Sequence, residues 1–234
     1  MARVAVVTGG TRGIGEAISI AMKRAGFRVA ATYAGNDAAA QKFQAESGIP
    51  VYKFDVGDYD ACEKAVAQIT RDLGPVDVLV NNAGITRDAA LHRMTRAYWN
   101  DVIRTNLDSA FNMSRLVIDS MRARNFGRII SISSINGRKG QFGQANYAAA
   151  KAGLVGFSKS VALEGAAKGI TANVIAPGYI NTEMVAAVPK EILDTKIIPQ
   201  IPVGRLGTAE EIARCVVFLA SDDSRWLTGE KLLA

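Results

Sequence analysis

The chain has 234 residues, of which 49% are hydrophobic and 21% are charged, and its formal net charge is +6. This composition is typical of a soluble globular protein that can bury a substantial core in one domain. No apolar run is long enough to span a bilayer, and the N-terminus enters a strand pattern without a secretory signal. We therefore expect a cytoplasmic protein without a membrane partner. The basic residues are scattered along the chain, which argues against a nucleic-acid partner.

The sequence contains few cysteine and histidine residues that could bind a metal ion. Cys62 and Cys215 are too far apart for a metal cluster or a redox motif, and His92 is the only histidine. We expect two buried thiols of a reducing compartment, a histidine with a structural or solvent-exposed role, and no bound metal.

Short β-rich runs alternate with helical stretches along the whole chain. Strands are predicted over residues 3–8, 28–33, 51–54, 76–81, 128–133, 171–176 and 231–233, and helices over 14–25, 38–46, 59–73, 96–124, 147–168 and 209–220. The helix over 96–124 is expected to be broken or to be two helices. Glycines in the position of a C-cap follow four of these helices: Gly26, Gly48, Gly74 and Gly169.

Most of the predicted strands are almost continuously apolar, as strands are when both faces of a sheet are covered. Repeated β-α units of this kind predict a single-domain α/β fold over residues 1–234. Its sheet is expected to be parallel and doubly wound, Rossmann-like, with helices on both faces.

A glycine-rich segment, Thr8-Gly-Gly-Thr-Arg-Gly-Ile-Gly15, follows the first predicted strand and leads into a helix. Such glycines let the backbone approach a pyrophosphate at the positive N-terminus of the helix. The spacing is G-x-x-x-G-x-G and not the commoner G-x-G-x-x-G, and a plain tight turn is the alternative. Its place after the first strand of a doubly wound pattern favours a nucleotide site.

The end of the second strand bears on the choice of nucleotide. An acid at this point would take the ribose hydroxyls of NAD, but the first acid is Asp37, which we expect to cap the next helix. Arg12 provides a guanidinium for a 2′-phosphate. The sequence therefore predicts NADP(H), with an Arg12 that points into solvent as the alternative.

Tyr147 and Lys151 stand four residues apart in a helical segment, so they share one face of the helix. A free phenol titrates near ~10, and bringing it to about 7 requires roughly 4 kcal/mol of preferential phenolate stabilisation. A nearby ammonium can contribute to this. The helix follows the fifth strand, which ends in Ser133 and Ser134, so a hydroxyl, a phenol and an ammonium are expected to converge at one crevice.

Together these motifs resemble the short-chain dehydrogenase/reductase family over nearly the whole chain. The match comprises Thr8-Gly9-x-x-x-Gly13-Ile14-Gly15, Asn82-Ala83-Gly84, Asn106, Ser134, Tyr147-x-x-x-Lys151 and Pro177-Gly178. The resemblance implies that Tyr147 is the general acid and that Lys151 lowers its pKa and binds the nicotinamide ribose. It also implies that Ser134, rather than Ser133, binds the substrate oxygen, and that Asn106 holds a water connecting Lys151 to solvent.

The resemblance further implies the residues that contact the dinucleotide. They are Gly9, Arg12, Gly13, Ile14, Gly15, Gly35, Asp55, Val56, Asn82, Ala83, Gly84, Tyr147, Lys151, Pro177, Gly178, Ile180 and Thr182.

Within the family, segments 85–88, 94–96, 136–144 and 177–184 look like those of members that use NADPH to reduce acetoacetyl-CoA to (R)-3-hydroxybutanoyl-CoA for polyhydroxyalkanoate synthesis. The implied substrate contacts are Asp88, Ser134, Gln141, Phe142, Gln144, Tyr147 and Tyr179. Residues 183–202 are expected to form a mobile lid over the substrate, or alternatively a fixed surface excursion.

Two other functions remain open at this point. One is a 3-oxoacyl-[acyl-carrier-protein] reductase, which would use a basic patch made of Arg87, Arg93, Arg96 and Arg138. The other is a non-catalytic dinucleotide sensor. The family also implies a homotetramer built on helices 96–124 and 147–168. Family chains usually continue into a Gly-Gly-containing tail, and because this sequence stops at Ala234 we expect weaker pairing of the last strand.

Overall fold

A computed structural model describes residues 2–182, 185 and 188–234 of the protein. Within them a single sheet of seven parallel strands has the order β3-β2-β1-β4-β5-β6-β7. The strands are β1 (Val4–Val7), β2 (Arg28–Tyr33), β3 (Val51–Lys53), β4 (Val76–Asn81), β5 (Gly127–Ile132), β6 (Ile170–Ala176) and β7 (Lys231–Leu233). The predicted fold class, a doubly wound α/β sheet, is confirmed, and all seven predicted strands are present.

The helices lie between the strands. They are α1 (Gly13–Arg24), α2 (Asp37–Ser47), α3 (Tyr59–Leu73), α4 (Arg96–Ile103), α5 (Ser109–Arg124), α6 (Asn136–Lys139), α7 (Ala145–Gly165), α8 (Lys190–Ile192) and α9 (Ala209–Ala220). No helix among the described residues is long and apolar enough to cross a membrane.

Two hydrophobic clusters cover the two faces of the sheet. On one face, Ile18 of α1 and Val216 of α9 pack with strand residues such as Val78. On the other face, Ile69 of α3 and Met113 of α5 belong to a second buried cluster. Because both faces are covered, the central strands are apolar at successive positions, which explains their continuous rather than alternating pattern.

Glycines that were predicted to be C-caps lie at the ends of helices. Gly48 ends α2 in the left-handed conformation with φ of 63°, and Gly169 does the same after the turn that follows α7, with φ of 65°. A side chain disfavours this conformation, so glycine is the residue expected at a C′ position.

The region predicted as one broken helix or two is divided by a π-helical turn at Arg104–Asp108, between α4 and α5. The short helix α6 was not predicted, because its four residues are too few for a periodic pattern. Of the predicted lid, residues 183, 184, 186 and 187 lie outside the described residues. The rest includes α8, a π turn at Leu193–Ile197 and a 3₁₀ turn at Ile198–Gln200.

Candidate active site

A cleft of about 930 Å³ opens beyond the carboxyl ends of the parallel strands. This is where ligands bind in open α/β sheets, and the volume lies within the range of small-molecule sites. The cleft is lined by all the residues predicted to contact a dinucleotide: Gly9, Arg12, Gly13, Ile14, Gly15, Gly35, Asp55, Val56, Asn82, Ala83, Gly84, Tyr147, Lys151, Pro177, Gly178, Ile180 and Thr182.

The glycine loop at the start of α1 is packed so tightly that side chains are excluded. Gly9 and Gly13 have φ of 62° and 54°, and a Cβ on Gly15 would lie 2.0 Å from the carbonyl oxygen of Gly9. The side chain of Asn82, after β4, donates to the carbonyl oxygens of Thr8 and Gly9 at 2.8 and 3.2 Å. The loop is therefore held rigidly against β4, with the N-terminus of α1 facing the cleft.

The predicted cap of α2, Asp37, was wrong. Asn36, not Asp37, caps α2, because its side-chain oxygen accepts a hydrogen bond from the backbone of Ala39 at 3.0 Å. Asp37 is the first residue of the helix and pairs with Lys53 at 2.8 Å. Arg12 is exposed and lines the cleft, so its guanidinium is available to an anionic ligand.

Asp55, after β3, has a partner that the sequence did not reveal. Its carboxylate accepts from the Arg104 guanidinium at 2.7 Å and from the backbone of Gly57 at 2.8 Å. Burial raises the pKa of Asp55, but these two hydrogen bonds outweigh it and the net pKa is lowered. Arg104 also lines the cleft. It lies 49 residues from Asp55, and no local pattern joins the two positions.

Lys151 is the buried cation of the site. Only 4% of the residue is exposed, and its ammonium donates to the backbone oxygen of Ile132, the last residue of β5, at 2.8 Å. Burial lowers the pKa of Lys151 to about 8, so the side chain remains mostly protonated at pH 7. Its Nζ is 5.6 Å from the centre of the Tyr147 ring.

The phenol of Tyr147 is half-buried beside Ser134. Burial raises the pKa of Tyr147, a hydrogen bond with Ser134 lowers it, and the negative charge of Asp88 raises it further. The net direction is upward, which differs from the expected lowering by Lys151, because desolvation of the phenolate is the largest effect. Tyr147 is therefore held as a neutral phenol that can donate a proton.

Asn106 lies in the π turn, and the turn directs its side chain toward the loop after β4. Its carboxamide accepts from the backbone N–H of Ile85 at 2.8 Å and donates to the carbonyl of the same residue at 2.9 Å. A Cβ on Gly84 would be 3.4 Å from both Asn106 Oδ1 and Lys151 Nζ. Both side chains thus lie close to Gly84, and the water expected between Lys151 and solvent stays a prediction.

The predicted substrate contacts divide into two groups. Ser134 and Tyr147 line the cleft beside Lys151. The other five, Asp88, Gln141, Phe142, Gln144 and Tyr179, are not among its lining residues. Phe142 is 89% exposed, and the ring of Tyr179 lies 5.3 Å from Lys139 Nζ. Gln144 donates to Asp88 at 2.8 Å. Direct contact of these five residues with substrate stays a prediction.

Comparison with known proteins identifies the family. A family model described as Enoyl-(Acyl carrier protein) reductase matches residues 9–234. The chain belongs to the short-chain dehydrogenase/reductase family. Members of this family are oxidoreductases that use a nicotinamide dinucleotide, which fits the glycine loop and the cleft described above.

Curated relatives match the chain over nearly all of its length. An acetoacetyl-CoA reductase of Shinella zoogloeoides is 64% identical over 234 residues, which are 100% of this chain and 97% of the relative. The acetoacetyl-CoA reductase of Rhizobium meliloti is 63% identical with the same coverage. A 3-oxoacyl-[acyl-carrier-protein] reductase of Escherichia coli is 47% identical over 98% of this chain and 94% of the relative.

In the described part of the chain, no group of three or more His, Cys, Asp or Glu side chains could hold a metal ion. Cys62 is buried and Cys215 is partly buried, and both are free. Burial raises the pKa of the Cys62 thiol to about 12, which keeps it protonated.

Proposed function

We propose that the protein catalyses the NADPH-dependent reduction of acetoacetyl-CoA to (R)-3-hydroxybutanoyl-CoA, a step of polyhydroxyalkanoate biosynthesis. The observation that carries this proposal is the combination of a Ser134–Tyr147 donor pair in the cleft with two relatives named acetoacetyl-CoA reductase at 63–64% identity.

In this proposal the bound dinucleotide supplies a hydride to the keto carbon. Tyr147 donates a proton to the keto oxygen, and Ser134 donates a hydrogen bond to the same atom. The positive charge of Lys151 stabilises the phenolate that remains, at a distance of a few ångströms in a buried site. Asn106, which is hydrogen-bonded to the backbone N–H and C=O of Ile85, holds a water that connects Lys151 to solvent for proton return in this proposal. Positioned proton donors of this kind contribute ~10²–10⁴-fold in rate.

The preference for NADPH rests on Arg12 and on the absence of a free acid at the end of β2 among the described residues, since Asp37 is paired with Lys53. We expect Arg12→Ala to raise the KM for NADPH about tenfold or more, because a charge-assisted contact to the 2′-phosphate is lost. The KM for NADH is expected to change little. An equal change for both cofactors would remove Arg12 from this role.

Acetoacetyl-CoA reductase and 3-oxoacyl-[acyl-carrier-protein] reductase differ in the group that carries the acyl thioester, which is coenzyme A in the first and a carrier protein in the second. We expect NADPH oxidation, followed at 340 nm, to show a higher kcat/KM with acetoacetyl-CoA than with acetoacetyl-carrier protein. A strong preference for the carrier protein would favour the activity named for the Escherichia coli relative. Turnover of crotonyl-CoA instead would favour reduction of a carbon–carbon double bond, as the description of the matching family model names. No turnover with any of the three would favour a dinucleotide sensor.

The proposed oligomer is a homotetramer that uses α4, α5 and α7. A groove of about 570 Å³ between α5 and α7 is lined by apolar side chains, Phe111, Ile118, Phe157 and Val161, and by the charged residues Arg115, Asp119, Arg122 and Glu164. Phe111 and Leu163 are 52% and 84% exposed. An exposed apolar surface of this kind is typical of a subunit contact. Light scattering of Phe111→Asp should give a smaller particle than the parent protein, whereas Leu91→Asp, exposed outside these helices, should not.

The segment 183–202 is proposed as a lid over the substrate. The described residue Val185 lines the cleft, which supports this role. A cytoplasmic location is proposed because the polyester precursor is made from soluble thioesters.

A further inference from the structure

Three polar side chains, none of which lines the cleft itself, form a hydrogen-bonded chain between the segments that carry Ser134 and Tyr147. Asn136, the first residue of α6, donates through Nδ2 to Gln144 Oε1 at 3.0 Å. Gln144, which precedes α7, donates through Nε2 to Asp88 Oδ2 at 2.8 Å. The chain therefore links three segments: the loop after β4, the end of β5 and the beginning of the helix that carries Tyr147.

The charge of Asp88 fixes the direction of every hydrogen bond in this chain. An ionised carboxylate only accepts, so Gln144 must present its NH₂ group to Asp88 and its oxygen to Asn136. Asn136 must then present its own NH₂ group to Gln144. Reversing either amide would bring two oxygen atoms together, so the chain has one stable polarity.

This polarity has a cost at Asn136. Its Oδ1 is buried and has no hydrogen-bond partner among the residues that the structure describes. An unsatisfied buried acceptor is energetically unfavourable. Asp88 and Gln144 thus hold the Asn136 carboxamide in an orientation that leaves its oxygen without a hydrogen bond. An unsatisfied buried group of this kind in a native structure can indicate a functional constraint.

Asn136 is also connected to the reacting groups. Its backbone N–H donates to Ser134 Oγ at 3.1 Å, so the hydroxyl of Ser134 uses a lone pair there and its proton stays free. The free proton can reach the oxygen of Tyr147 or of a bound ketone. The hydrogen-bond chain therefore joins the serine turn directly to the N-terminus of the tyrosine helix.

We propose that Asn136 is a positioning residue whose side chain, oriented through Gln144 by Asp88, holds Ser134 at hydrogen-bonding distance from Tyr147. Asp88 and Gln144 act through this chain, in addition to any contact with substrate. The inference rests on the proposed carbonyl reduction at this site. It assigns a role to Asn136, for which the sequence offered no specific prediction.

The test combines Asn136→Ala, Gln144→Ala and the double variant, with Gln41→Ala as the matched control. Gln41 is exposed on α2, away from the cleft. We expect either single substitution to lower kcat of the full-length enzyme about tenfold to a hundredfold, because small misplacements of reacting groups have effects of this size. The Kd for NADPH should be unchanged, and the double variant should be no slower than the slower single variant, because one chain is broken in all three.

Three results would overturn the proposal: an unchanged kcat, a loss confined to the KM for acetoacetyl-CoA, or multiplying effects in the double variant. A second measurement, which needs no turnover, distinguishes a failure of this proposal from a failure of the proposed function. The pKa of the Tyr147 phenol is measured by ultraviolet absorbance as a function of pH. For each protein, the absorbance of the same protein with Tyr147→Phe is subtracted, so that only Tyr147 contributes to the titration. Asn136→Ala should raise this pKa, since the hydrogen bond from Ser134 is weakened while Lys151 and Asp88 remain. An unchanged value would contradict the proposal even if the enzyme were inactive on every thioester.

Discussion

The two halves of the cleft differ in how their residues are arranged. In the dinucleotide half, every residue predicted from the sequence lines the cleft. In the substrate half, only Ser134 and Tyr147 do so, while Phe142 is 89% exposed and Gln144 is engaged with Asp88 and Asn136. The residues predicted for the dinucleotide are mainly small residues at strand ends, whereas those predicted for the substrate are mainly loop side chains, of which Gln144 and Asp88 are hydrogen-bonded to each other.

The largest expected effect on kcat is at Tyr147, which is predicted to contact both the dinucleotide and the substrate. Tyr147→Phe should lower kcat ~10²–10⁴-fold, because the proton donor is removed and the ring is kept. Cofactor binding, measured by quenching of protein fluorescence, should change less than threefold or so, since the rest of the dinucleotide half is intact. Activity near that of the parent protein would show that the proton comes from another group.

A second substitution tests the rigidity of the dinucleotide half. In Gly15→Ala the new methyl group would lie 2.0 Å from Gly9 O and 2.6 Å from Asn82 Nδ2, so the loop must move. We expect loss of measurable NADPH binding and a melting temperature lowered by several degrees, as for an overpacked site.

The matched control for this substitution is Gly35→Ala. A Cβ at Gly35 meets no atom within 4 Å, so the melting temperature of the cofactor-free protein should hardly change. Equal melting temperatures for Gly15→Ala and Gly35→Ala would mean that the glycine loop is far more flexible than its packing indicates.

The smallest effect is the pH dependence. The pKa of Lys151 is lowered to about 8 by burial, so the folded protein loses this proton at lower pH than the unfolded chain. From about pH 8 to the ordinary lysine value near ~10.4, the unfolded state binds more protons, and stability contributed by this group should rise with pH. Activity should move the opposite way, with kcat/KM falling above about pH 8 as the ammonium is lost. A flat profile to pH 10 would contradict the role of Lys151.

The contrast between the halves also explains what the sequence could predict. The strands, the glycine loop and the i, i+4 pair of Tyr147 and Lys151 follow from local periodicity and from the rule that ligands bind at strand ends. Pairs such as Arg104–Asp55 and Gln144–Asp88 are 49 and 56 residues apart, and no local pattern relates them. The net upward shift of the Tyr147 pKa could not be predicted for a similar reason, because the burial that causes it depends on the whole packed structure.

The most direct test of the central claim is the fate of the hydride. NADPH that carries deuterium at the transferable position is incubated with the enzyme and acetoacetyl-CoA, and the product is analysed by mass spectrometry and NMR. We predict one deuterium atom on C3 of 3-hydroxybutanoyl-CoA, formed ~10²–10⁴-fold more slowly by Tyr147→Phe under the same conditions. Product without deuterium at C3 would contradict hydride transfer to the ketone at this site.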